Sequence, residues 1–236
     1  STTVICSDKT GTLTQNVMTV THLWVDGEMI EVCDRDEASE GAFRQDGRPI
    51  DLGAYPAAAT ALWVAALAND AVIEVEEDSP NGRRLVGDPT ETALLVASAI
   101  QGASREELER AYPRIGEVPF DSTRKRMTTV HRVAAPDPED CSPFRDETCL
   151  GWEVAVTKGA PDVVLDLCTH YQSLDDRRLP LDDGARQRVL QANEALAGQA
   201  LRVLGLAYRV QPDGLCDGDE GDVEAGLTFV GLVGMI

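Results

Sequence analysis

Residues 115–133 read IGEVPFDSTRKRMTTVHRV, and this stretch decides the fold class. Two of its segments, 115–120 and 127–133, have the length and the β-branched, apolar composition of β-strands, and a third such segment follows at 152–157. No regular alternation of strand and helix accompanies them. Consecutive strands of this kind favour an antiparallel sheet over the parallel sheet of βαβ proteins.

The rest of the chain has the same mixed order of elements. Residues 17–32 predict a β-hairpin that turns at Asp26 and Gly27, and an alanine-rich run predicts a buried helix at 56–69. Thr90 is the candidate N-cap of a second helix that ends at residue 100. Further helices are expected at 104–112, 161–168 and 182–201, strands at 202–210 and 227–233, and loops at 34–55, 134–151 and 211–226. We therefore predict an α+β fold, a mainly antiparallel twisted sheet flanked by helices.

The composition is that of a globular protein with an unusual charge. Of the 236 residues, 43% are hydrophobic and 26% are charged, which excludes wholesale disorder. The formal net charge of −20 repels nucleic-acid backbones, so we expect no nucleic-acid partner. The longest apolar run, at 57–68, is shorter than the roughly 20 residues that cross a bilayer, so the fragment reads as soluble.

The strongest chemical signal is the segment 8–14, which reads DKTGTLT. Asp8 ends an apolar strand and is followed at once by Lys9, by hydroxyl residues including Thr10, and by a glycine. This order places a carboxylate nucleophile beside a cation and phosphate-binding donors. A polar turn after a strand is the alternative, but the whole string favours attack of Asp8 on phosphorus.

A basic segment is the second signal. Residues 114–132 hold five Lys or Arg residues and two acids within this acidic chain, and such an island can concentrate an anion. Phe120 offers an aromatic face to a purine, whereas Lys125 and Lys158 offer charges to phosphates. Gly159 lets a backbone or a ligand approach closely. The alternatives are a core position for Phe120, a solvated turn at 123–126 and a solvated strand residue at Lys158.

The string DKTGTLT with Gln15 and Asn16 resembles the phosphorylation motif of P-type cation-transporting ATPases. Further matches follow in the order of that family. They are GDPTETAL at 87–94, Phe120 with Lys125 and Met127, KGAP at 158–161, Arg202 with Leu204, and FVGLVGM at 229–235. Together they look like the nucleotide-binding domain of the calcium-pump-like branch, and the resemblance spans essentially the whole chain.

The resemblance implies a role for each matching residue. Asp8 would accept the γ-phosphoryl group of ATP, with Lys9 and Thr10 beside it, and Asp8 and Thr10 would hold Mg²⁺ in the intact pump. Phe120 would stack on the adenine, while Glu91 would contact the adenine amino group. The other implied nucleotide contacts are Asp88, Lys125, Met127, Lys158, Gly159, Arg202 and Leu204.

The chain departs from the family pattern at Ser122, where the calcium-pump pattern has an arginine. We expect Arg124 to supply the missing phosphate contact. The related phosphatases carry a second Asp where this chain has Thr10, so Thr10 implies a transient but usable aspartyl phosphate.

The resemblance also implies an organisation: a phosphorylation-motif strand and hinge at 1–16, a nucleotide-binding domain at 17–226, and a return hinge strand at 227–236. The partners would be ATP, ADP and the phosphorylation, actuator and membrane domains of the same pump chain. The chain would then be a cytoplasmic domain of an integral membrane protein. By itself it would bind ATP but would hardly turn it over. A phosphatase of the haloacid-dehalogenase superfamily and a non-catalytic acidic interaction module remain alternatives, and the transported cation stays open.

Overall fold

A large sheet dominates the structure, a computed structural model that describes residues 17–33, 42–75, 83–102, 105–135, 144, 146–212 and 223–236. Its helices are α1 (Pro56–Leu67), α2 (Pro89–Ile100), α3 (Arg105–Ala111), α4 (Pro161–Asp166) and α5 (Asp183–Gly198). Its strands are β1 (Val20–Val25), β2 (Glu28–Val32), β3 (Phe43–Gln45), β4 (Arg48–Pro49), β5 (Val72–Val75), β6 (Arg83–Val86), β7 (Arg114–Asp121), β8 (Arg126–Arg132), β9 (Glu153–Gly159), β10 (Cys168–Gln172), β11 (Arg178–Pro180), β12 (Arg202–Gln211) and β13 (Leu227–Met235).

Eleven of the described strands form one sheet, in which the main path runs β4, β3, β2, β1, β13, β12, β9, β8, β7. Neighbours along this path are antiparallel. β10 pairs in parallel with the first part of β13, whereas β1 pairs with its last part. β5 and β6 form a separate hairpin. The predicted α+β fold with a mainly antiparallel sheet is therefore confirmed.

Helices cover both faces of the sheet. The helices α1, α2 and α3 lie on one face, where Trp63 of α1 contacts the rings of Tyr112 and Phe144 at centroid distances of 5.2 and 5.6 Å. α1 is buried almost all round, as expected of a helix that is apolar on every side. α4 and α5 lie on the other face, where Leu165 and Leu196 pack with Phe229 of β13.

Several short strands correct the sequence-based assignment. The loop predicted at 34–55 is wrong over 43–49, where β3 and β4 form a hairpin that turns at Asp46 and Gly47 and pairs with β2. Residues 34–41 of that loop lie outside the described ranges. The helix predicted at 161–168 ends at Asp166, and Cys168 already belongs to β10. β5, β6, β10 and β11 were not predicted. Strands this short show little periodicity of their own and are recognisable mainly by their pairing partners. For β10 these are β11, which follows closely, and β13, about sixty residues further along the chain.

The start of α2 also differs from the prediction. The helix begins at Pro89, and Asp88 is its N-cap, because Oδ1 of Asp88 accepts a hydrogen bond from the backbone N of Thr90 at 2.8 Å. Thr90 is therefore not the cap but a residue of the first turn. Proline at the first helical position suits this arrangement, since its missing N–H would have no partner within the helix.

The β7–β8 turn, residues 122–125, presses against the end of β9. The backbone N of Ala160 donates to the carbonyl O of Lys125 at 2.9 Å. A Cβ on Gly159 would lie 2.6 Å from that carbonyl and 2.6 Å from Cβ of Arg126. Lack of space therefore requires glycine at position 159.

His131 of β8 is a buried and neutral histidine. Its Nδ1 lies 2.8 Å from the carbonyl O of Tyr112, and its Nε2 lies 2.8 Å from Oγ1 of Thr129. Burial lowers the pKa of His131 to about 4, and the charges of Arg114 and Arg105 act in the same direction. The unfolded chain binds a proton here at a higher pH than the folded chain does.

Replacement of Gly159 by alanine should destabilise the domain by about 1–3 kcal/mol, the usual cost of forcing an extra methyl group into a filled space. Gly198→Ala is the matched control, because a Cβ at Gly198 meets no atom within 4 Å. We expect the control to keep or slightly raise the free energy of unfolding. Urea unfolding of both variants measures this, and equal effects would contradict the close approach at Gly159.

The stability contributed by neutral His131 should be present above pH 6.5 and should be lost as the pH falls towards about 4. Over this window the wild type should lose about 3 kcal/mol more than His131→Gln, which has no titrating group at this position. Urea unfolding of both proteins at pH 7.5 and pH 4.5 measures the difference. A stability difference that is the same at both pH values would show that His131 titrates alike in the folded and unfolded chains.

Candidate functional site

One row of side chains crosses four strands on the face that α1 and α2 cover. Lys158 of β9 lies opposite Met127 of β8 and opposite Leu206 of β12. Residues directly opposite in antiparallel strands share a face of the sheet. A register shift in β7 sets Pro119 and Phe120 against the single residue Met127. Phe120 thereby joins the same row at its outer end.

The amine of Lys158 is buried and is paired with a carboxylate. Lys158 is 7% exposed, and its Nζ lies 2.5 Å from Oε1 of Glu91. Burial lowers the pKa of Lys158, and the charge and hydrogen bond of Glu91 offset this only in part. The alternative that Lys158 is a solvated strand residue is wrong.

Glu91 reaches Lys158 because α1 and α2 are joined at their ends. Glu91 lies in the first turn of α2. The side chain of Asn69, just after α1, donates to the backbone carbonyl of Glu91 at 2.9 Å and to that of Ala65 at 3.3 Å. The backbone N of Asp70 donates to Oε2 of Glu91 at 3.3 Å. These contacts set the position of the carboxylate above the strand that carries Lys158.

Phe120 and Lys125 lie at the exposed rim of the site. Phe120 is 61% exposed, so a core position for this ring is wrong. Lys125 is exposed in the β7–β8 turn at a positive φ of 54°. Of the five cations in the basic segment, Lys125 is the one that forms no ion pair with any residue in the described ranges. The other four pair with Asp70, Glu117, Glu153 and Glu224.

Arg124 and Arg126 are held on the opposite face of the sheet. Both guanidinium groups form ion pairs with Glu224. The carboxylate lies in the segment 211–226 that was predicted as an acidic loop, yet Glu224 is only 3% exposed. No local sequence signal distinguishes it from the other acids of that segment. In this structure Glu224 binds the guanidinium group of Arg124. A phosphate contact by Arg124 in place of Ser122 would require Arg124 to leave Glu224, and it stays a prediction.

Asp88, Arg202 and Leu204 border the site from α2 and β12. Partial burial raises the pKa of Asp88, but hydrogen bonds from Thr90 and the charge of Arg202 outweigh this and hold the pKa below its usual value. Arg202 is exposed, and Leu204 is half-buried. Because alternate residues of a strand share a face, both lie on the side of Leu206 and hence of Lys158.

Asp8, Lys9 and Thr10 lie outside the described residues. Within the described part of the chain, no group of three or more His, Cys, Asp or Glu side chains could hold a metal ion. No helix among the described residues is long and apolar enough to cross a membrane.

Comparison with known proteins places this chain in a family. The family model for the P-type ATPase cytoplasmic domain N matches residues 58–236. Calcium-transporting ATPase 1 of Bacillus cereus is 37% identical over 100% of this chain and 22% of its own length. Probable cation-transporting ATPase F of Mycobacterium tuberculosis (strain H37Rv) is 35% identical over 100% of this chain and 24% of its own length. Sodium/potassium-transporting ATPase subunit alpha-1 of Anguilla anguilla is 34% identical over 100% of this chain and 22% of its own length.

The chain thus spans less than a quarter of the length of these relatives. The range matched by the family model includes Glu91, Phe120, Lys158 and Arg202, which the fold brings to one face of the sheet. The family expected from the sequence motifs is confirmed, and the chain belongs to the P-type ATPase family, of which it contains the cytoplasmic N domain.

Proposed function

We propose that this chain binds ATP on the face of the sheet that carries Lys158, and that in a complete pump it delivers the γ-phosphate to Asp8. The observation that carries the proposal is the exposed ring of Phe120 in the same row of the sheet as Lys158, with Met127 between them and with Lys158 paired to Glu91. Phenylalanine is among the residue types most often fully buried, so an exposed ring in line with a buried polar pair is a candidate surface for stacking of a ligand.

The inner part of the site suits a neutral purine. Lys158 and Glu91 neutralise each other, so this part of the site carries polar atoms without excess charge. The Glu91 carboxylate can accept a hydrogen bond from the exocyclic amino group of adenine, which is a donor. Phe120 offers its ring for stacking, and base stacking on an aromatic side chain contributes about 1–3 kcal/mol.

The outer part of the site suits a polyphosphate. Lys125 and Arg202 are both exposed cations at the rim. An exposed lysine can follow phosphate oxygens as a mobile point charge, and an arginine can bind two of them at once. The base would therefore lie inward and the phosphates outward.

In the complete pump the chemistry would be phosphoryl transfer to a carboxylate. An oxygen of Asp8 attacks the γ-phosphorus, the bond between this phosphorus and the β–γ bridging oxygen breaks, and ADP leaves with the electron pair. The aspartyl phosphate would then drive the transport of a cation. Asp8 and Thr10, which lie outside the described residues, would hold Mg²⁺, and the ion would supply positive charge that neutralises the transferred phosphoryl group.

A titration of the chain with ATP, ADP and AMP tests the proposal, with amide shifts and free phosphate followed together. We expect saturable shifts at Phe120, Lys158 and Arg202 without release of phosphate. Phosphate release would favour the phosphatase alternative. A chain that shows no shifts with any nucleotide would be left with the interaction-module alternative.

Phe120→Ala should raise the Kd for ATP by roughly tenfold to a hundredfold, because the adenine loses its stacking partner. The free energy of unfolding should hardly change, since the ring is largely in water. Leu150→Ala is the matched control, because Leu150 is 60% exposed and lies at another part of the surface. Calorimetric titration measures both variants, and an equal Kd for Phe120→Ala and the control would contradict stacking on Phe120.

Lys158→Met should weaken ATP binding by about tenfold, because it keeps the apolar stem and removes the charge that orients Glu91. Arg177→Met is the control, since it removes one positive charge from an exposed turn with an ion pair to Asp175. Both variants lower the net charge equally, so a general electrostatic effect would appear in both. Unchanged ATP affinity in Lys158→Met would remove this lysine from the nucleotide site.

A further inference from the structure

A buried carboxylate lies behind the β7–β8 turn, on the face of the sheet opposite to Lys158. Oε2 of Glu224 accepts a hydrogen bond from Nε of Arg126 at 2.8 Å. Oε1 of Glu224 accepts one from Oγ1 of Thr128 at 2.8 Å and another from Nη2 of Arg124. The carboxylate thus binds the last part of the turn and the first part of β8.

The charge of Glu224 is retained despite its burial. Burial raises the pKa of Glu224, but the hydrogen bonds from Arg126, Thr128 and Arg124 outweigh it and hold the pKa below its usual value. A buried carboxylate without such partners would strongly disfavour its ionised form. Two guanidinium groups and one hydroxyl satisfy it here, so the cluster has a defined geometry.

The other contacts of the turn involve its backbone. Oδ1 of Asp121 accepts hydrogen bonds from the backbone N of Thr123 at 2.9 Å and from that of Arg124 at 2.8 Å. The carbonyl of Lys125 accepts from the backbone N of Ala160. These bonds shape the backbone but leave three successive cations, at 124–126, side by side. Glu224 pairs with the outer two, and Lys125 between them is exposed.

We propose that Glu224 is a positioning residue for the nucleotide site. It holds Arg124 and Arg126 on the far face, and this orients the turn so that Lys125 and Phe120 meet a nucleotide on the near face. Glu224 comes from the segment that leads into β13, about one hundred residues further along the chain. The inference rests on the proposed function, because it concerns the same nucleotide site.

Glu224→Gln tests the inference, because it keeps the size of the side chain and removes its charge. We expect the Kd for ATP to rise by about tenfold, because a turn that Glu224 no longer holds has to become ordered when the nucleotide binds. Hydrogen exchange of the turn amides in the nucleotide-free chain should become faster. Glu153→Gln is the control, since Glu153 is also buried and pairs with Arg132 at the other end of β8 and β9. The control should lose stability without a change in the Kd for ATP.

A double-variant cycle separates positioning from general destabilisation. If Glu224 acts through Arg126, the effects of Glu224→Gln and Arg126→Gln on the Kd for ATP are not additive. Arg126→Gln alone leaves Glu224 paired with Arg124, and it serves as the test if Glu224→Gln does not fold. Strictly additive effects would contradict the inference.

The outcomes are distinguishable. A wild-type chain that does not bind ATP overturns the proposed function and, with it, this inference. A wild-type chain that binds ATP while Glu224→Gln binds equally well overturns the inference alone. Tighter binding by Glu224→Gln also overturns it, and would mean that Glu224 competes with the phosphates for Arg124.

Discussion

Lys158 carries a charged amine on β9, an interior strand with β8 on one side and β12 on the other. Water cannot reach that amine freely, so the fold has to bring a carboxylate to it, since an unpaired buried charge is strongly destabilising. Glu91 provides the carboxylate only because α2 begins close above the strand. The start of α2 is in turn held by Asn69 at the end of α1. The pairing of Lys158 with Glu91 thus depends on how the two helices pack on this face of the sheet.

The β7–β8 turn lies between two such pairs. The turn contacts the end of β9, directly after Lys158 and its partner Glu91, and on the other face of the sheet Arg124 and Arg126 bind Glu224. The close contact of the turn with Gly159 leaves little freedom between the faces. A turn that is held from both sides can keep an aromatic ring exposed beside a polar pocket, where an unrestrained ring would collapse onto the nearest apolar surface. Rigidity of this kind lowers the entropic cost of binding a ligand.

Local patterns predicted the central elements well, because α1, β8, β9 and α5 carry strong composition and periodicity over seven residues or more. The short strands were not predicted. The N-cap of α2 was also assigned wrongly, because the cap is Asp88, before Pro89, and not Thr90, after it.

The basic segment 114–132 shows that a count of charges along the chain does not give the net charge around a site. Its net positive charge is largely offset by Asp70, Glu153 and Glu224, which lie outside it. Within the described residues, Lys125 is the one cation of the segment that forms no ion pair.

The amino-acid sequence by itself identifies the candidate residues of the site, because each stands in a short motif that can be recognised without the fold. These residues are Glu91, Phe120, Lys158 and Gly159. The same holds for the main strands and helices that carry them. The pairing of Lys158 with Glu91, and of Arg124 and Arg126 with Glu224, was decided by the tertiary structure. These partners lie 67 to 100 positions apart. Their meeting depends on strand order and on which face of the sheet each side chain occupies, and no local period of the sequence encodes either.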